Sequence, residues 1–164
     1  MIRHAAPFFA ALPAVADPVA ATQAFAAHCF SPFLTAARAS EVLPARHDFY
    51  DLDPFSDVAP SPAKTEITEG TDRRCEVALD GEYGAAAAGV ATAALAAEGI
   101  TRDAPLPTTH TDTVLPGTTL LAARFLNPTR IAVVHTGTRP GPNGPETFLY
   151  VERLTPEASR EAIR

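Results

Sequence analysis

Hydrophobic and polar positions along the chain recur with two different periods, and the change of period divides it into helices and strands. Residues 17–30 place Thr22, Phe25 and Cys29 three and four positions apart, on one face of a helix. Asp17 can cap that helix, Pro18 suits its first position, and Pro32 ends it. Residues 34–43 keep the helical period through Leu34, Ala37 and Glu41 until Pro44 stops them. Over 74–80 the period drops to two. Cys75, Val77 and Leu79 alternate with Arg74, Glu76 and Ala78, which predicts a strand with one buried face. Residues 83–98 predict the clearest helix. Its inner stripe is Tyr83, Ala87, Val90 and Ala94, with Leu95 at the edge, and Gly99 is its C-cap. The small side chains let this helix lie close against a sheet.

Residues 118–126 and 131–136 are expected strands, joined by a connection of hairpin length, and 147–154 is the last strand. The remaining segments are expected to be irregular. In 47–57, Phe49 and Tyr50 suggest extension and the aspartates around Pro54 a turn. Residues 58–72 are polar, 101–117 are punctuated by proline, and GTRPGPNGP at 137–145 is a longer loop. The tail from Thr155 is either one helical turn or a frayed end. The order helix, helix, loop, strand, helix, three strands implies antiparallel pairing of the last three. It predicts an α+β fold, an antiparallel sheet of about four strands with two to three helices on one face. No internal repeat or second domain is visible, so 17–164 reads as one domain.

Composition changes this picture little. The 164 residues suffice for one hydrophobic core, and 46% apolar and 20% charged residues are ordinary for a globular protein. The net charge of -6 and the lack of a Lys/Arg block argue against nucleic acid as a partner. The N-terminus changes it more. Arg3, an apolar run at 5–12 and small residues at Ala14 and Ala16 follow the three-part layout of a secretory signal. Residues 1–16 are therefore expected to be a signal peptide, with Asp17 first in the mature chain and a periplasmic or secreted location. No stretch has the roughly 20 apolar residues of a membrane span, and no lipobox cysteine follows the cleavage point.

Cys29 and Cys75 are the two cysteines, one on a helix face and one on a strand face. In an exported chain they allow one connectivity, and the oxidising compartment favours closing it. Two buried free thiols or a reactive thiol are the alternatives. His28 beside Cys29 makes no Cys-His dyad, because adjacent helical residues point about 100° apart.

Metal ligands would have to come from His28, His47, His110, His135, Cys29, Cys75 and several aspartates, without CxxC or HExxH spacing. His110 and Asp112 share one side of THTD if that segment is extended, which could form a two-ligand corner. Asp51 and Asp53 begin like a calcium loop, but Ser56 and Pro62 stand where its glycine and glutamate belong. No G-x-S-x-G elbow is present, and Glu66 and Glu69 lie in a polar loop. Arg73 and Arg74 could bind an anion, but a solvated strand edge is the default reading. GTRPGPNGP lacks the lysine and the N–H donors of a phosphate cradle. No catalytic, metal or cofactor-binding residue is assigned, and no cofactor is expected.

AFAAHCFSP followed by TDRRCEV and ETFLYVERL resembles small exported bacterial proteins of uncharacterised function, which pair an N-terminal helix cysteine with a later strand cysteine. Some of these carry the label of a succinyl-CoA synthetase beta subunit. Such a subunit resembles an ATP-grasp enzyme more than twice as long, and no nucleotide-binding pattern occurs here. The expectation is an exported domain with a non-catalytic binding or accessory role in the cell envelope, meeting a protein or small-molecule partner through loops 49–71 and 139–145. The rival is a metal-dependent or hydrolytic enzyme using His110, Asp112, His135 or His47.

Overall fold

The computed structural model describes residues 17–44, 46–52, 67–112 and 114–164. The expected signal at 1–16, the turn around Pro54 with Asp53 and Ser56, and most of the polar loop, Glu66 included, lie outside the described residues.

Helix α1 spans Pro18–His28. Asp17 Oδ1 accepts a hydrogen bond from the Val19 N–H at 3.1 Å, and proline stands first. Its inner face buries Ala21, Thr22 and Phe25. Helix α2, Ala36–Val42, is capped by Thr35, whose hydroxyl accepts from the Arg38 N–H at 3.2 Å. Leu43 is extended ahead of Pro44, as the pre-proline position demands. The face it buries holds Leu34, Ala39 and Leu43, and the expected Ala37 and Glu41 are exposed. Helix α3, Gly84–Ala97, buries Gly84, Ala87, Ala91, Ala94 and Leu95. Its stripe is thus rotated from the expected one: Tyr83 is exposed and Val90 only half-buried. The helix ends where Gly99 takes φ +71°, a conformation that favours glycine.

Five strands, β1 His47–Asp51, β2 Thr71–Asp80, β3 Thr118–Asn127, β4 Arg130–Gly141 and β5 Gly144–Leu154, form one antiparallel sheet in the order β1-β2-β5-β4-β3. The expected count of about four is one short because β1 has five residues, three of them polar. GTRPGPNGP is also not a loop. It forms the ends of β4 and β5, with Pro140 opposite Pro145 and Gly141 opposite Gly144 around a two-residue turn. Proline is tolerated there because β3 pairs only as far as Gly137 and β2 only as far as Glu146. Neither proline owes an N–H to a lateral strand.

The helices also lie on both faces, not one. On the first face α1, α2 and α3 cover Phe49, Cys75, Val77, Leu79, Val134 and Leu149. A disulfide between Cys29 and Cys75, with Cα atoms 5.4 Å apart, ties the end of α1 to the middle of β2. On the second face helix α5, Pro156–Ile163, sets Ala158 and Ala162 on Ala123, Ile131, Val133 and Leu154. The tail is therefore a packed helix, with Ser159 fully buried and its hydroxyl accepting from the Ile131 N–H. A single turn, α4, Thr108–Thr111, completes the set of described helices. No described helix is long and apolar enough to cross a membrane.

Candidate functional site: an ionic layer on the second face

The second face of the sheet continues beyond its small apolar cluster as a layer of charged and aromatic side chains. Residue alternation puts Asp48 and Tyr50 of β1, Arg74, Glu76 and Ala78 of β2, Glu146, Phe148, Tyr150 and Glu152 of β5, and His135 and Arg139 of β4 on this side. Strand β2 is consequently buried on both faces, and Arg74 and Glu76 are not solvated. Arg73, on the opposite face, is also buried, held by Asp51 and by the backbone carbonyl of Ser31. Asp51, expected in a turn, binds Arg73 and Arg153.

Glu152 is the most deeply buried charged member of the layer, with no exposed surface. One oxygen accepts from Arg74 Nη1 at 2.7 Å and from the Thr68 hydroxyl at 2.6 Å. The other is 2.8 Å from His110 Nε2, which must carry the proton because an ionised carboxylate only accepts. Burial alone would raise the Glu152 pKa. The His110 hydrogen bond, the Arg74 charge and the Thr68 hydroxyl overcome it and hold the group at about 2. Arg74 also pairs with Glu76 and lies 3.9 Å from the Tyr150 ring centroid, a cation–π contact. Arg74 and Arg139 together hold Glu76 below the usual carboxylate range against the effect of burial.

His135 lies between two hydroxyls, with Nδ1 2.6 Å from Tyr150 Oη and Nε2 2.6 Å from Thr118 Oγ1. Burial, then the nearby His110 and Arg74, lower its pKa to about 4, so the ring is neutral at pH 7. Burial and Glu152 raise that of Tyr150, which keeps its phenol protonated.

Among the described residues the layer borders two openings. Beside the β1 end a cavity of about 280 Å3 lies among Arg46, Asp48, Glu76, Ala78, Arg139 and Glu146, with His47 at its edge. At the tip of the β4–β5 hairpin a groove of about 690 Å3 is lined mostly by apolar groups, among them Leu115, Pro116, Pro140 and Pro145, with Glu82 and Arg139 as its charged members. Arg139 is common to both.

Of the candidate residues, Cys29 and Cys75 are joined. His110 and His135 share the second face. Asp112 does not join them, because THTD is a helical turn, with His110 buried and Asp112 exposed. The two-ligand corner therefore does not form. Both nitrogens of His110 and of His135 face protein partners, Thr109 being the second for His110. His47 donates through Nδ1 to the Pro44 carbonyl at 2.7 Å. No group of three metal-ligating side chains occurs among the described residues. Sequence reasoning missed Glu76, Arg139, Tyr150 and Glu152. The available signal was complementary charge on like faces of two strands, Arg74 and Glu76 on one, Tyr150 and Glu152 on the other. Using it requires the pairing of β2 with β5.

Compared with known proteins, the chain matches no family model, no curated protein and no solved structure.

Proposed function

We propose that this chain is an exported domain, periplasmic or secreted, with a non-catalytic binding or accessory role in the cell envelope. It meets its partner at the groove on the β4–β5 hairpin tip. The observation that carries the reading is the Cys29–Cys75 disulfide, which ties the first helix to the sheet and is a bond favoured by oxidising compartments. Three further features support it. The helix cap at Asp17 coincides with the first residue after the expected cleavage point. Both ring nitrogens of His110 and of His135 are taken up by protein partners, and Glu152, the carboxylate on His110, is fully buried. The groove has the size and mostly apolar lining of a ligand site with a few polar anchors. Its part at 139–145 is one of the two expected contact surfaces, rigid because it belongs to paired strands.

Native material tests the reading directly. N-terminal sequencing of protein from the envelope or culture fluid should begin at Asp17, and titration without reductant should find no free thiol. Met1 still attached, with two titratable thiols, overturns it.

The enzyme reading has one observation in its favour, the half-buried Thr118 hydroxyl 2.6 Å from the neutral imidazole of His135. A nucleophilic threonine needs His135 to accept from it. If Tyr150 donates to Nδ1 instead, Nε2 carries the proton and Thr118 is only an acceptor. An ester-hydrolysis burst lost in Thr118→Val would establish the enzyme; no burst would leave the binding reading in place.

A further inference from the structure

We infer that the cavity over Ala78 is a binding site for a small zwitterion of the α-amino acid class. The inference rests on reading the chain as a binding domain and adds a second site with its own ligand chemistry. The cavity exists because β2 carries a methyl group where its neighbours carry ion pairs. Ala78 lies opposite Phe148, and its N–H bonds the Arg46 carbonyl at 3.0 Å. The row on one side of it contains Asp48 and Glu76, and the row on the other Asp80 and Glu146. Two guanidiniums close the walls. Arg46 binds Glu146 at 2.8 Å and Asp80 at 2.6 Å, and Arg139 binds Glu146 and Glu76, each at 2.7 Å. What remains is about 280 Å3 above the Ala78 methyl.

Charge selects the ligand. The lining holds two guanidiniums and three carboxylates, Asp48, Glu76 and Glu146. A lone anion would meet the carboxylates and a lone cation the guanidiniums, at close range in a partly desolvated space. A molecule with both charges fits both. Hydrogen-bonding capacity agrees at Arg46, Arg139, Glu76 and Glu146, since a guanidinium has five N–H donors and a carboxylate about four acceptor positions, more than their internal pairs use. Among the described residues, Arg139 Nη1 and Arg46 Nε have no hydrogen-bond partner. Both side chains are about one-third exposed, so a ligand can reach them. The ligand carboxylate accepts from these N–H groups and its ammonium donates to Glu76 and Glu146. At about 30 Å3 per water the volume equals roughly nine waters, room for a small or medium amino acid.

Calorimetric titration of the full chain with glycine, alanine and glutamate, against acetate and methylammonium, tests this. At least one amino acid is expected to bind saturably and at least tenfold tighter than either singly charged probe. Ala78→Leu fills the floor without changing a charge and should abolish binding while circular dichroism remains that of the wild type. Arg139→Gln should weaken binding tenfold or more. The site is overturned by no amino acid binding, by a singly charged probe binding as tightly, or by wild-type affinity in Ala78→Leu. If Ala78→Leu does not fold, a loss of less than tenfold in Arg139→Gln overturns it. Failure here leaves the thiol and N-terminus results untouched, and failure of those leaves the isotherms unchanged.

Discussion

Glu152 and Arg74 are the residues where a single atom matters most. Glu152 is fully buried and its carboxylate faces Arg74, His110 and Thr68. Glu152→Gln keeps the shape but strips Arg74 of a buried counter-charge. Breaking a buried pair by removing one partner costs about 3–5 kcal/mol, so the denaturant midpoint should fall sharply. The exposed Arg38–Glu41 pair is the control: Glu41→Gln should cost about 1 kcal/mol or less. His135 adds a pH dependence. Its pKa is about 4 in the folded protein against an ordinary value of about 6.5, so the unfolded chain binds the proton more readily. The stability it contributes is complete above about pH 6.5 and is lost as pH falls toward 4. Glu152, held at about 2, adds a second loss below about pH 4.3. Urea melts at pH 7 and pH 5 should show a drop for the wild type that is markedly smaller in His135→Gln.

At the scale of elements, the fold depends on how α1 and the β3–β4 corner are held to the sheet. The disulfide closes a loop with a sequence separation of 46 residues. In the chain-entropy model that is worth about 4 kcal/mol. Cys29→Ser and Cys75→Ser should lower thermal stability under oxidising conditions by similar amounts, because each removes the same constraint and both sites are buried. The corner depends on Gly117, whose carbonyl accepts from the Thr138 N–H at 2.9 Å. A Cβ on Gly117 would lie 2.0 Å from the Thr138 carbonyl oxygen, a backbone atom that cannot turn aside. Gly117→Ala should cost about 1–3 kcal/mol, the usual range for overpacking, and should distort the groove beside Leu115 and Pro116.

Over the whole molecule, the sheet separates two kinds of interior. One face is an apolar core under three helices, closed by a disulfide. The other is a small apolar cluster under α5 that continues into ion pairs. The first core was legible in the sequence: Thr22, Phe25 and Cys29 at helical spacing, and Cys75, Val77 and Leu79 at strand spacing, each name one buried face of one element. The second was not. Arg74 and Glu76 look solvated in isolation, and only β5 beside them, with Tyr150 and Glu152 on the same side, makes their burial possible. The five-residue β1 and the proline-bearing ends of β4 and β5 escaped for a related reason. Their conformation comes from neighbouring strands, not from local preference.

By itself the sequence determined what depends on near neighbours along the chain: the helix cap at Asp17, the stop at Gly99, the hairpin at 127–130, and the α+β class that follows from the element order. Tertiary structure alone decided what depends on strand register: the five-stranded order, the partner of each charge, and the cavity over Ala78. Local signals act through backbone preference and a fixed side-chain period. Ion pairing depends on distance between residues as far apart in sequence as Arg74 and Glu152, which only the folded sheet sets.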